Sequence, residues 1–138
     1  MSQTRATVEV PASADEVWKL VGGFNALPDW LPFITESIAS EGGRVRHLTT
    51  ADGAVIVERL QSFDNAARTY SYSIEQGPFP VTDYLATVKV SEVPGKRATL
   101  VEWGGQFVAA GITEAEAIAI FDGVYQGGLQ ELSKHFPG

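Results

Sequence analysis

Arg46 and Glu58 are the residues of this 138-residue sequence best placed by spacing to do chemistry together. The segment Thr50-Ala51-Asp52-Gly53-Ala54 reads as a hairpin turn, and pairing Thr50 with Ala54 sets Leu48 opposite Ile56 and Arg46 opposite Glu58. Cross-strand neighbours lie about 5 Å apart at Cβ, within reach of an ion pair. Inside a cavity such a pair binds a carboxylate through the arginine, or holds the glutamate as a proton acceptor. On an outer face it is a surface bridge contributing ~0–1 kcal/mol. Ile56 and Leu60 share the parity of Glu58, but Val45, Val57 and Phe63 make the opposite parity apolar too. Alternation alone leaves both sides open.

Further candidates carry an apolar body with a polar tip. Tyr72 and Tyr84 fall in phase with Ile74 and Val88, Trp103 with Val101 and Phe107, and Tyr125 lies on the apolar stripe of a C-terminal helix. Buried phenols and indoles need a hydrogen-bond partner. Their convergence either lines a small-molecule pocket or makes a core with satisfied tips. His47 and His135 share no spacing with each other or with an acid at ligand distance, so neither a metal nor a cofactor is expected. Gly104-Gly105 and Gly127-Gly128 lack the spacing of phosphate loops.

The elements that would position these groups follow from periodicity. Residues 3–10 alternate as a strand. Ser13-Ala14-Asp15-Glu16 matches a capping box before Val17, Trp18, Leu20, Val21 and Phe24, so a helix of about ten residues is expected, ended by Gly22-Gly23. Asn25 to Pro32 suits a short irregular helix or loop. From Phe33 to Val108, turns at Gly42-Gly43, Asp52-Gly53, Asp64-Asn65, Gly77-Pro78 and Pro94-Gly95 divide six short strands of an antiparallel meander. Thr113-Glu114-Ala115-Glu116 opens a long helix to about His135, the only element able to cover the apolar face of such a sheet. Its Gly123, Gly127 and Gly128 serve either close approach to the sheet or room for a ligand.

Composition narrows the partners. Hydrophobic residues at 44% and charged residues at 20% fit one folded α+β domain spanning residues 1–138. With no cysteine, disulfides, thiolate metal sites and thiol nucleophiles are excluded. A net charge of −7 argues against nucleic acid and anionic lipid as partners. A polar N-terminus without an apolar run points to a cytoplasmic protein that does not insert into membranes. A monomer or weak homodimer is expected.

Val10-Pro11-Ala12-Ser13-Ala14-Asp15-Glu16-Val17-Trp18, Pro28-Asp29-Trp30-Leu31-Pro32 and Glu58-Arg59-Leu60, in this order of elements, resemble the helix-grip superfamily of START domains, Bet v 1-type allergens and bacterial polyketide cyclase/dehydrase-like proteins. The resemblance spans nearly the whole chain. It implies a strand, two short helices, a six-stranded meander and a long C-terminal helix packed across a curved sheet that encloses a cavity. A narrower likeness is to plant abscisic-acid receptors, through Glu58-Arg59-Leu60, Tyr72-Ser73-Ile74 and Asp83-Tyr84. It implies that Glu58, Tyr72 and Tyr84 face the cavity with Arg46 and Arg44 beside Glu58, that residues 50–53 match a gate, and that Gly77-Pro78-Phe79-Pro80 matches a latch. The receptors' Ser-Gly-Leu-Pro-Ala gate and cavity lysine are absent, and Trp103 stands where they carry a late glutamate. Abscisic-acid sensing is not implied.

The function expected from these residues is binding of a small, largely hydrophobic ligand, with or without a carboxylate, through Arg46, Glu58, Tyr72, Tyr84, Trp103, Phe107 and Tyr125. The alternative is a cyclase or dehydratase in which Glu58 is the general base and a tyrosine hydroxyl polarises a carbonyl.

Overall fold

The computed structural model describes residues 1–137. Seven strands form one antiparallel sheet: β1 (Ser2–Val10), β2 (Ile34–Ser40), β3 (Val45–Thr50), β4 (Val55–Asp64), β5 (Thr69–Gln76), β6 (Val81–Glu92) and β7 (Thr99–Ala109). Helix α1 (Ala14–Val21) and a 3-10 turn at Leu27–Asp29 separate β1 from β2, and α2 (Glu114–Ser133) follows β7. The spatial order is β1-β7-β6-β5-β4-β3-β2. Six strands therefore meander, and β1 crosses to pair with β7, from Ser2 opposite Phe107 to Val10 opposite Thr99. This is the expected helix-grip arrangement.

Local chemistry fixes the helix ends. In α1 the Glu16 amide donates to Ser13 Oγ at 3.2 Å, while the Ser13 hydroxyl itself donates to the Glu16 carboxylate at 2.9 Å. In α2 the box is fully reciprocal: the Glu116 amide donates to Thr113 Oγ1 and the Thr113 amide to Glu116 Oε1, at 3.1 and 3.0 Å. Helix α2 is 20 residues, or about 30 Å, long. It buries Ala117, Phe121, Tyr125, Gly128, Leu129 and Leu132 against the sheet. No helix of the described residues is long and apolar enough to cross a membrane.

A bulge between Leu60 and Ser62 accounts for Phe63 in the ambiguous parity of β4. Glu58 pairs with Ile74 and Leu60 with Tyr72, but after the shift Phe63 pairs with Tyr70. One extra residue returns the odd-numbered Phe63 to the face of the even-numbered Glu58. Its ring accordingly packs on Trp18 and Tyr70, 5.6 and 6.4 Å between centroids.

The three glycines of α2 divide into two kinds. A Cβ on Gly128 would overlap the six-membered ring of Trp103 and stand 3.1 Å from Leu31 Cδ2, so this glycine lets the helix close on the sheet. Around Gly123 and Gly127 a Cβ would meet nothing within 4 Å. Gly123→Ala and Gly127→Ala are each expected to stabilise the fold by about 0.5–1 kcal/mol. Gly128→Ala should instead destabilise it by about 1–3 kcal/mol through overpacking. Chemical denaturation of the three variants checks the opposite signs.

Candidate functional site

Between α2 and the sheet lies a partly open cavity of about 50 Å³. Leu27, Leu31, Leu48, Ile56 and Phe121 give it apolar walls, and Arg46, Glu58, Tyr72, Tyr84 and Trp103 also reach it. Small-molecule pockets usually run to about 300–1,000 Å³, so the space is narrow in this conformation.

Hairpin β3–β4 places the charged pair. Arg46 pairs with Glu58 and Leu48 with Ile56, the register that the Asp52-Gly53 turn imposes. All four side chains point inward; Arg46 is 1% and Glu58 6% exposed. Arg46 Nε donates to Glu58 Oε1 at 2.8 Å, Nη2 lies 2.6 Å from the same oxygen in the ion pair, and Nη1 donates to the Phe24 carbonyl at 2.6 Å. The guanidinium carbon lies 4.1 Å from the Phe24 ring centroid and 4.8 Å from that of Tyr72. Both contacts converge on Oε1; Oε2 has no hydrogen-bond partner among the described residues.

Burial pushes the Glu58 carboxyl above the usual carboxylate range, and the adjacent Arg46 offsets only part of that rise. Desolvation pulls Arg46 towards neutrality, but Glu58 and the neighbouring tyrosines outweigh it and keep the guanidinium charged. The Tyr72 and Tyr84 phenols are held protonated, chiefly by desolvation and further by surrounding negative potential.

Aromatic side chains lock the rest of the lining. Trp103 Nε1 donates to the Tyr72 hydroxyl at 2.9 Å. The Tyr84 and Tyr125 hydroxyls share a short hydrogen bond. Phe121 stacks near Tyr84 and Phe107 at 4.9 and 4.8 Å. Beneath Tyr125, Gly105 is required by contact: a Cβ there would collide with the Tyr125 hydroxyl.

The structure brings Arg46, Glu58, Tyr72, Tyr84 and Trp103 to one cavity. Phe107 and Tyr125, each 0% exposed, stand behind that lining rather than in it. Arg44 is not beside Glu58. It ends the 3-10 turn at Glu41–Gly43 in a helical backbone conformation, before strand alternation begins, and is exposed. Residues 50–53 do not reach the cavity either, whereas Phe79 of the 77–80 segment does. Phe33, Phe121 and Val124 are lining residues that the sequence reading missed. Phe79 lies in the Gly77-Pro78-Phe79-Pro80 segment that the resemblance matches to a latch.

A wider groove of about 740 Å³ lies on the outer face around Gly104, between Arg5, Thr87, Lys89 and Glu102. Arg5 bridges Glu102 there at 3.2 Å with Arg5 largely in solvent. It is open to solvent, and none of the buried ionisable residues lines it. The cavity under α2 is the better candidate site despite its size, because the buried charge is there.

A long helix gripped by a curved antiparallel sheet, over a cavity of apolar walls and polar tips, defines the helix-grip class. Within that class, the chain belongs to the polyketide cyclase/dehydrase and lipid transport family, whose model matches residues 1–137. It is 48% identical to the protein XoxI of Bacillus cereus, with a TM-score of 0.95 over 99% of this chain and 96% of that one. A START superfamily protein of Mycobacterium smegmatis shares the fold at 19% identity, with a TM-score of 0.79 over 99% and 97% of the two chains. Ara h 8.0201 does so at 17% identity, with a TM-score of 0.72 over 97% and 96%. No curated protein matches the chain.

Proposed function

We propose that the protein binds a small, largely hydrophobic ligand in the cavity between the sheet and α2. The observation that carries this reading is a buried ion pair within apolar walls, with Glu58 Oε2 left without a partner. Buried pairs contribute little net stability compared with well-packed apolar side chains. Stability alone therefore gives no reason to place one here. Family membership, with its description of cyclases, dehydrases and lipid transport, supports the same reading.

At about 50 Å³ the cavity must widen to admit a ligand. Phe79 is the residue placed to allow that, because it lies outside any strand or helix and rests its ring on Phe121 at 5.0 Å. Native mass spectrometry against a library of aromatic, terpenoid and polyketide-like compounds tests the reading. Unaltered compounds should be retained, more of them by Phe79→Ala and fewer by Glu58→Gln. No retention by either the wild type or Phe79→Ala would refute it.

One observation favours a second reading, a cyclase or dehydratase. The raised Glu58 carboxyl and two protonated phenols meet at one space. There Glu58 would take a proton next to a carbonyl while Tyr72 or Tyr84 polarises its oxygen. Loss of water or isomerisation in the same experiment, abolished by Glu58→Gln, would identify it.

A further inference from the structure

We infer that the cavity selects a neutral ligand carrying a hydroxyl group, an alcohol or a phenol, and rejects a carboxylate. The inference rests on the ligand-binding reading above and follows from an account of which polar atoms are already engaged.

Arg46 is the cation that would be asked to hold a carboxylate. Its Nε donates to Glu58 and its Nη1 to the Phe24 carbonyl, its Nη2 stands against the same Glu58 oxygen, the side chain is only 1% exposed, and its flat surface is covered by the Phe24 and Tyr72 rings. A ligand carboxylate would have to displace Glu58 and leave that anion buried without its partner. Placed elsewhere in the cavity, it would face Glu58 across walls of Leu27, Leu31, Leu48 and Ile56. Like charges in so apolar a space repel strongly.

The groups that remain free are of a different kind. Glu58 Oε2 is an acceptor with no donor. Tyr72 accepts from Trp103 Nε1, and its own proton has no acceptor among the described residues. Of the Tyr84 and Tyr125 hydroxyls, which share one bond, one proton also stays free. A strong acceptor beside phenolic donors is the complement of a hydroxyl, which donates one hydrogen bond and accepts others. The ligand O–H would donate to Glu58 Oε2, and its oxygen would accept from Tyr72.

Titration with matched compounds tests this. On one-ring and two-ring frames, each set comprises the hydroxyl compound, its methyl ether and its carboxylate: phenol, anisole and benzoate; 2-naphthol, 2-methoxynaphthalene and 2-naphthoate. Binding is read by NMR shifts of cavity methyl groups in the wild type and in Phe79→Ala, whose wider cavity admits the larger frame. The hydroxyl compound should bind at least about tenfold more tightly than its ether or carboxylate, since a hydrogen bond to a charged group is lost in the first and opposed in the second. Tyr72→Phe should shrink that preference without abolishing binding of the ether. A carboxylate that binds as tightly as the hydroxyl compound, or an ether that matches it, overturns the hydroxyl inference and leaves the ligand-binding reading standing. Binding of no compound to either protein overturns both.

Discussion

Arg46→Met is expected to cost about 3–5 kcal/mol of stability, and the double variant Arg46→Met/Glu58→Leu to recover most of that loss. The single change leaves the Glu58 carboxyl without its guanidinium among apolar walls, whereas the double change removes both charges from a site that is almost fully buried. The two single variants should also differ in pH dependence. In Arg46→Met the lone carboxyl can escape its penalty by taking a proton. Its folded pKa then lies above the unfolded value of about 4.3. Such a group contributes its stability below the unfolded pKa and loses it as pH rises through the folded one. The deficit of Arg46→Met relative to wild type should therefore be smaller at pH 4 than at pH 7.5. Glu58→Leu offers no such escape, since a guanidinium does not give up its proton in a protein. Its deficit should show no matching relief at pH 4. Urea denaturation of the four proteins at both pH values is the check. A double variant no more stable than either single one would refute the coupling.

Trp103→Ala is expected to cost a further large amount, about 3–5 kcal/mol, in a single change. The indole is 5% exposed. It packs between Trp30 and Tyr125, with centroids 5.8 and 5.0 Å away, and fills the space that Gly128 leaves beneath α2. Removing it also leaves the Tyr72 hydroxyl without its donor. Because Trp103 borders the cavity, the vacated volume would join the existing space. An apolar cavity of that kind takes up small apolar molecules. Added benzene should therefore raise the Tm of Trp103→Ala by more than that of the wild type, as linkage requires of a ligand that binds the wider cavity more tightly. Trp103→Phe, which keeps a ring in place, should cost less. A Trp103→Ala protein as stable as the wild type would mean that the wall collapses freely and that Trp103 does not set the cavity's extent.

The fold was legible because its signals are local. Alternation in Tyr70–Ile74 and Tyr84–Val90 marked two strands, and the Gly- and Asp-containing turns spaced the meander as observed. The Asp52-Gly53 turn went further and fixed Arg46 opposite Glu58. What could not be read was geometry set at a distance. The side on which Glu58 points was hidden by the bulge after Leu60, which carries Phe63 across to the same face. The expected place of Arg44 failed because a strand's phase cannot be extended into the 3-10 turn before it. Cavity size depends on how Trp103, Phe121 and Tyr125 seat together under the helix, and pattern says nothing of that seating. The glycines of α2 make the point most directly: three identical residues, of which Gly128 alone is held to its identity by contact.

The pairing of β1 with β7 carries a consequence for how the protein is made. Partners in this ladder lie from 89 positions apart (Val10 to Thr99) to 105 apart (Ser2 to Phe107). Every other strand finds a neighbour next to it in the chain. On a ribosome the first strand synthesised is thus the last to find its place, after a wait of roughly 5–20 s at ordinary elongation rates. Until then the meander has an uncovered edge at β7. Rare codons or a bulky fusion near the N-terminus would act on that interval, lowering the yield of folded protein without touching the stability of the molecules that reach it.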